Sequence, residues 1–211
     1  MFVGERYADV VNGLQVAYDA MAPVRDRRPD ASWKQHERVR FLERMHAEAH
    51  TTLLEIGAGT GVHGRWFADA GIEVVCTDAS AAMVELCRDK GLVARQADFL
   101  SLEPEWSFAA VFAMNCVLHV PRADLDAVLR AVHEVLVPGG LLFLGQYGGV
   151  DRESRFEADD HEPKRFFSYL SDDALLGAIS AHFDVVDLHT VDVEPEPGVH
   201  FQAVTARRDD R

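Results

Sequence analysis

The chain has 211 residues, with 35 Asp and Glu against 21 Lys and Arg, a formal charge of −14, and 48% hydrophobic residues. That is enough apolar side chain for the core of one ordinary domain, which excludes global disorder. The acidic balance argues against a nucleic-acid backbone as main ligand, because such binding needs a basic footprint.

No apolar run reaches the roughly 20 residues that span a bilayer. The start, MFVGERYADVVNG, lacks a basic segment followed by an apolar one. Cys76, Cys87 and Cys116 form no C-x-x-C pair. The expectation is a cytoplasmic protein, with no membrane partner, no disulfide framework and no metal site.

The first fifty residues read as helical, with an irregular break at Ala22–Pro29. Between Arg25 and Arg44, seven basic residues outnumber four acidic ones. Trp33, His36 and Arg40 recur at i, i+3 and i+7 and so share one helical face. From residue 51 onward, short β-rich runs alternate with helical patterns, the signature of a parallel α/β sheet. A strand over 51–56 precedes a helix over 62–70 with Gly71 as its stop. A strand over 72–77 leads to a helix over 80–90, with Ser80 as N-cap and Gly91 as stop. Strands follow over 92–97 and 108–114. An amphipathic helix spans 124–137, ended by Pro138-Gly139-Gly140, and a fifth strand spans 141–147.

After Tyr147 the character changes. Six carboxylates between Gly148 and Pro163 face two arginines, and Ser171 caps a helix reaching His182. Two strands over 183–193 and 200–208 are joined by a link too short for a crossover, which predicts an antiparallel hairpin.

Glu55-Ile-Gly57-Ala-Gly59-Thr-Gly61 lies between the first strand and its helix. Glycines there allow a tight turn and close backbone approach to a ligand, and the helix start adds N–H donors. A dinucleotide G-x-G-x-x-G fails when started at Gly57, since its third glycine would fall on Val62. It is met in the shifted register Gly59, Gly61, Gly64, so spacing alone leaves two cofactor classes open. Further features separate them. Glu55 stands two residues before the first glycine, Asp78 closes the second strand 21 residues beyond Gly57, and Asp98-Phe99 follows the third strand. None of Tyr7, Tyr18, Tyr147 and Tyr169 has a lysine four residues on, as a nicotinamide-dependent oxidoreductase of the Tyr-x-x-x-Lys type would.

This set resembles the class I S-adenosylmethionine-dependent methyltransferases, over a stretch from about residue 51 through the terminal hairpin. The resemblance implies a seven-stranded Rossmann-like sheet of order 3-2-1-4-5-7-6, with strand 7 antiparallel and helices on both faces. It also implies S-adenosylmethionine as donor and S-adenosylhomocysteine as product. Glu55 would sit by the methionine amino group. Gly57, Ala58 and Gly59, in the turn closed by Gly61, would lie under the methionine and ribose. Asp78 would bind the ribose diol, with Ala79 and Met83 near the adenine. Asp98 would accept from adenine N6, while Phe99 offers its amide to N1. Met114 and Asn115 would line the sulfonium. Residues 1–50 would form a helical lid or cap on a core over 51–211, in one domain overall. The face of Trp33 and His36 has two readings of its own: a cationic face turned to the methionine carboxylate, or a surface helix with Trp33 packed inward.

On the acceptor side, the segment after the fourth strand, Met114-Asn115-Cys116-Val117-Leu118-His119, is neither N-P-P-Y nor D-P-P-Y and holds no Pro-Cys nucleophile. A nucleic-acid acceptor is therefore not expected. His119, which titrates near working pH, is the candidate acid or base, and Tyr18 is a lid tyrosine beside the chemistry. Tyr147, Arg165, Phe166 and His200 are candidate walls of an acceptor pocket formed by residues 148–170. The expected function is methyl transfer to oxygen or nitrogen of a small molecule or peptide, by a monomer or homodimer. The alternative is a non-catalytic module that binds S-adenosylmethionine or S-adenosylhomocysteine.

Overall fold

The computed structural model describes residues 5–103, 105–193 and 196–209. Two of the six residues between the expected last two strands, 194 and 195, fall outside this range.

Two N-terminal helices, α1 (Tyr7–Arg25) and α2 (Ser32–Ala47), precede the sheet. The expected break at Ala22–Pro29 starts later, because Pro23 is carried in the last turn of α1. Next come β1 (Thr52–Ile56), α3 (Val62–Asp69), β2 (Glu73–Asp78), α4 (Ala81–Asp89), β3 (Val93–Gln96) and β4 (Phe108–Met114). Two short 3-10 turns lead to α5 (Leu125–Glu134) and β5 (Leu136–Gly148). A small pair, β6 (Arg152–Arg155) and β7 (Phe166–Tyr169), precedes α6 (Asp172–Ser180), β8 (Phe183–Val191) and β9 (His200–Arg208).

The seven-stranded sheet runs β3-β2-β1-β4-β5-β9-β8. The pairs among β1 to β5 are parallel, and β9 is antiparallel to both neighbours. Numbered within this sheet alone, that is the expected order 3-2-1-4-5-7-6. Both faces are buried, so the central strands read as continuous apolar runs. Leu54, Val111 and Leu142 pack with Val128 and Val132 of α5 and Ile179 of α6. Leu53, Phe112 and Phe143 face the other way, against Phe41 of α2, Phe67 of α3 and Val84 of α4. Phe112 and Phe143 stack at 4.7 Å, and Phe41 sits 5.8 Å and 5.6 Å from them. This aromatic group seats α2 on the sheet. Asp19 of α1 accepts from the Ser80 hydroxyl at 2.5 Å and the Ala82 amide at 3.0 Å. It thereby supplies α4 with a second N-terminal acceptor beside its own Ser80 cap.

Two boundaries differ from the sequence reading. The fifth helix ends at Glu134, and Pro138-Gly139-Gly140 lies inside β5. The strand already pairs at Leu136 with Phe108, then skips to Leu141 with Ala110. The dipeptide Gly139-Gly140 thus makes a bulge and does not stop a helix. The region expected to be an acceptor-side loop contains the β6–β7 hairpin, unread because the carboxylates of its link masked two four-residue strands.

Candidate functional site

The carboxyl ends of β1, β2, β3 and β4, where the strand order reverses, open into a cavity of about 340 Å³ roofed by α1 and the start of α2. Such a reversal leaves a crevice between diverging loops, the usual ligand position in an open α/β sheet. Gly57, Ala58, Gly59, Asp78, Ala79, Asp98, Phe99, Met114, Asn115, Tyr18 and His119 all line it, as the sequence reading expects. Asp78 accepts from the Gly59 amide at 2.8 Å and the Ser80 amide at 2.9 Å. Burial raises its carboxyl above the usual range, and these two amides oppose that shift.

The structure corrects the other expected residues. Glu55 is 2% exposed and lies behind the glycine turn, not in the cavity. Its carboxyl meets the Cys76 thiol at 3.5 Å and the Gly64 amide. A Cβ on Gly64 would stand 2.6 Å from the Glu55 Oε2, so this glycine serves packing of α3 over Glu55. The shifted dinucleotide register therefore has a structural cause. Gly61 turns toward Cys87 and Leu92, and Met83 is fully buried in α4. Tyr147 and Trp33 pack around Phe201, Trp33 at 4.4 Å. His36 is exposed, and His200 pairs with Asp172 at 2.8 Å. Phe166 is buried and reaches the site through its carbonyl, while Arg165 reaches it through Tyr18.

Burial pushes the Glu55 carboxyl up to about 8, with Cys76 and Gly64 resisting the rise. A folded-state value above that of the unfolded chain makes the protonated protein the more stable one. This contribution is full below about pH 4.5 and is lost as pH rises through about 8. Urea unfolding at pH 5 and pH 8 should therefore show the wild type losing more stability than Glu55→Gln. Parallel pH profiles of the two proteins would contradict it.

Of the two readings of α2, the structure has the one with Trp33 packed inward, and a different face meets the cavity. Asp30, just before the helix, and Lys34 line the cavity, and Arg38 stands directly behind them. Arg38 is 4% exposed, pairs with Asp30 at 2.6 Å and donates to His63 Nδ1 at 2.6 Å. Burial, together with Arg38 and Lys34, lowers His63 to about 3, so its ring is neutral. The missed signal was the apolar pair Phe41 and Met45. Stepping back from it by three, four and seven residues gives Arg38, Glu37 and Lys34.

Tyr7 was also missed. Its hydroxyl donates to Asp98 Oδ1 at 3.2 Å and accepts from the Phe99 amide at 3.0 Å.

Deeper in the cavity, His119 Nδ1 is 2.6 Å from the Phe166 carbonyl, which only accepts. Nδ1 therefore carries the proton, and Nε2 accepts from the Tyr18 hydroxyl at 2.9 Å. Arg165 donates to the same hydroxyl at 3.1 Å. Burial lowers His119 to about 3, with Arg165 and Arg25 adding to the effect against the Phe166 carbonyl. The ring is a fixed neutral acceptor at working pH. The expected acid–base role of His119 thus meets an environment that stores no proton on it.

Asp159, Asp160 and His161 cluster closely enough to hold a cation. Arg165 already pairs with Asp159 at 2.6 Å and Arg28 with Asp160 at 2.6 Å. Burial opposes ionisation of Asp159, but the Arg165 hydrogen bonds outweigh it and hold the carboxyl well below the usual range.

The sheet order, with the glycine turn and Asp78 at the carboxyl ends of its strands, is that of the Rossmann-like methyltransferase fold. Residues 53–140 match the family model of the methyltransferase domain. It is similar to the C-methyltransferase NovU of Streptomyces niveus, at 30% identity over 174 residues covering 78% of this chain and 40% of that protein. The chain thus spans well under two thirds of that relative's length. A 1,6-didemethyltoxoflavin-N1-methyltransferase of Burkholderia thailandensis, solved with bound 1,6-didemethyltoxoflavin and S-adenosylhomocysteine, superimposes with a TM-score of 0.76. It has 20% identity, over 98% of this chain and 92% of that one. The [4+2]-cyclase SpnF superimposes at 0.70 with 19% identity, over 91% and 94%. No helix among the described residues is long and apolar enough to cross a membrane.

Proposed function

We propose that the chain is an S-adenosylmethionine-dependent methyltransferase acting on a small-molecule acceptor. The observation that carries this reading is Asp78, a carboxylate held by two backbone amides on the cavity wall beside the glycine turn. Two further features fit the donor. Asn115, in the left-handed region at φ 55°, has a buried Oδ1 with no protein partner and suits an ammonium donor. A Cβ placed on Gly59 would meet nothing within 4 Å, which leaves the turn open for a ligand to lie against its backbone. Bound S-adenosylmethionine would supply an electrophilic methyl group on a sulfonium. The residues then divide the work. Asp78 clamps the ribose, Ala58 and Gly59 carry the methionine, and Lys34 offers a cation to its carboxylate. Tyr18 and His119 form the wall beside the methyl group and fix its shape through their mutual hydrogen bond. α1 and α2 act as the lid, and a bound acceptor closes the site to water.

Calorimetric titration of the purified chain with S-adenosylmethionine and S-adenosylhomocysteine tests the reading. Micromolar binding of either is expected, with none of NADH. Binding of NADH alone, or of none of the three by folded protein, overturns it.

Tyr7 bears on the same titration. Its hydroxyl engages both groups assigned to the adenine edge, Asp98 and the Phe99 amide, so the donor must displace it. Removing one such competing hydrogen bond is worth about 0.5–1.5 kcal/mol, or roughly two- to tenfold tighter binding. Tyr7→Phe should therefore bind S-adenosylhomocysteine more tightly than wild type. Weaker binding would instead make Tyr7 a direct donor contact.

A further inference from the structure

Three cations line the cavity of this acidic chain: Arg25, Arg28 and Lys34. Arg28 is neutralised by Asp160 at 2.6 Å. Arg25 and Lys34 have no ion-pair partner among the described residues, and the Arg25 Nε is buried without any hydrogen-bond partner. Their surroundings differ. Lys34 stands beside Asp30 and His63, over the start of α3 and the glycine turn. Arg25 lies over the Tyr18 ring at 5.0 Å, at the corner where Tyr18 meets His119. A bound donor brings a single carboxylate, which Lys34 is placed to meet. Arg25, attracted by Asp78 only at longer range, then has no close ion-pair partner among the described residues at the end of the cavity where the methyl group would be presented. Arg25 is half-buried with its Nε shut from water, and holding a charge partly out of water without a close partner is unfavourable, so the missing anion is expected on the second ligand.

Among the described residues that line this corner none is a free base, and His161, 5.4 Å from the Tyr18 ring, stands outside the lining against Asp160. His119 is neutral and has both ring nitrogens engaged. Asp30 is held by Arg38, Asp78 by the Gly59 and Ser80 amides, and Asp98 by Tyr7 and the Leu100 amide. A neutral alcohol or protonated amine would find no group to take its proton, whereas an oxygen already ionised in solution needs none.

We infer that the methyl acceptor is an anionic small molecule, a carboxylic acid bound as its carboxylate with Arg25 as counter-ion. In the transfer, a carboxylate oxygen forms the bond to the methyl carbon as the carbon–sulfur bond breaks. The bonding pair remains on sulfur, the products are a methyl ester and a neutral thioether, and no proton moves. The guanidinium both orients the carboxylate and becomes unpaired again when the ester forms, which favours product release.

This inference rests on the methyltransferase reading, and the two fail separately. Protein saturated with S-adenosylhomocysteine is titrated with a panel of aromatic and aliphatic carboxylates, each beside its own amide. Acids should bind about ten- to a hundredfold more tightly than the matched amides, the range of one hydrogen-bonded charge pair. Read at saturating S-adenosylhomocysteine, Arg25→Gln should abolish that preference, and Arg25→Lys should retain most of it. Equal binding of acids and amides, no binding of any acid, or a preference that survives Arg25→Gln would overturn the inference and leave the methyltransferase reading intact. Failure of S-adenosylhomocysteine itself to bind removes the reading and the inference together.

Discussion

Asp78→Ala is expected to eliminate measurable binding of S-adenosylhomocysteine. The carboxylate accepts one backbone amide on each oxygen, so a lone pair on each remains for a ribose hydroxyl. Two hydrogen bonds to a charged acceptor contribute about 3–5 kcal/mol together, roughly a hundred- to a thousandfold in affinity. The alanine also strands the Gly59 and Ser80 amides, so some loss of stability accompanies the loss of binding. Asp78→Asn separates the two effects. One amide oxygen still serves the backbone, and its melting temperature should fall less than that of the alanine variant, while affinity remains far below wild type. Calorimetry alongside thermal unfolding reads both quantities. Wild-type affinity in a folded Asp78→Ala protein would remove Asp78 from the donor site.

Gly57→Ala should be the most destabilising single-methyl change in the site. Gly57 has φ 62°, and a Cβ there would lie 2.4 Å from the Cys116 Cβ and 3.0 Å from its sulfur. The left-handed backbone costs an L-residue about 1–2 kcal/mol, and overpacking a buried contact adds about 1–3 kcal/mol. The combined loss is about 2–5 kcal/mol, a large part of the stability of a typical domain. Cys116 is buried and its thiol donates to the Ile56 carbonyl at 3.2 Å, so the clash has no soft direction. The double variant Gly57→Ala with Cys116→Gly should recover the contact portion but not the backbone portion, in a denaturant-unfolding cycle. Complete recovery would mean that φ is not strained, and no recovery would mean that the contact is not the cause.

The Gly57 result shows how the motif was legible at one level and not at another. Residues 51–61 encode a strand, a tight turn and a helix start through local backbone needs alone. That the turn is pressed against Cys116 depends on β1 and β4 being neighbours, which no local pattern states. Asp78 and Asp98 were legible for the same reason as the turn, since each closes a strand whose end faces the site in any sheet of this order. Glu55 was read as a ligand group because it shares their strand-end position. Its side chain instead points under α3, since successive strand residues alternate faces and α3 covers that side.

The amino-acid sequence by itself determined the alternation of strands and helices and the turn with its carboxylates, because these follow from contiguous apolar periodicity and backbone conformation; the sheet order was only what the family resemblance implied. The tertiary structure alone decided which residues complete the cavity. Tyr7 meets Asp98 across 91 positions and Tyr18 meets His119 across 101. Lys34 and Arg38, not Trp33 and His36, stand at the cavity because Phe41 and Met45 fix the rotation of α2 on the sheet. Arg25 lies over Tyr18 two turns back on the same helix, and Asp19 ties that helix to the start of α4. Helix docking is set by complementary packing between distant segments, and sequence spacing within one segment carries no record of its partner.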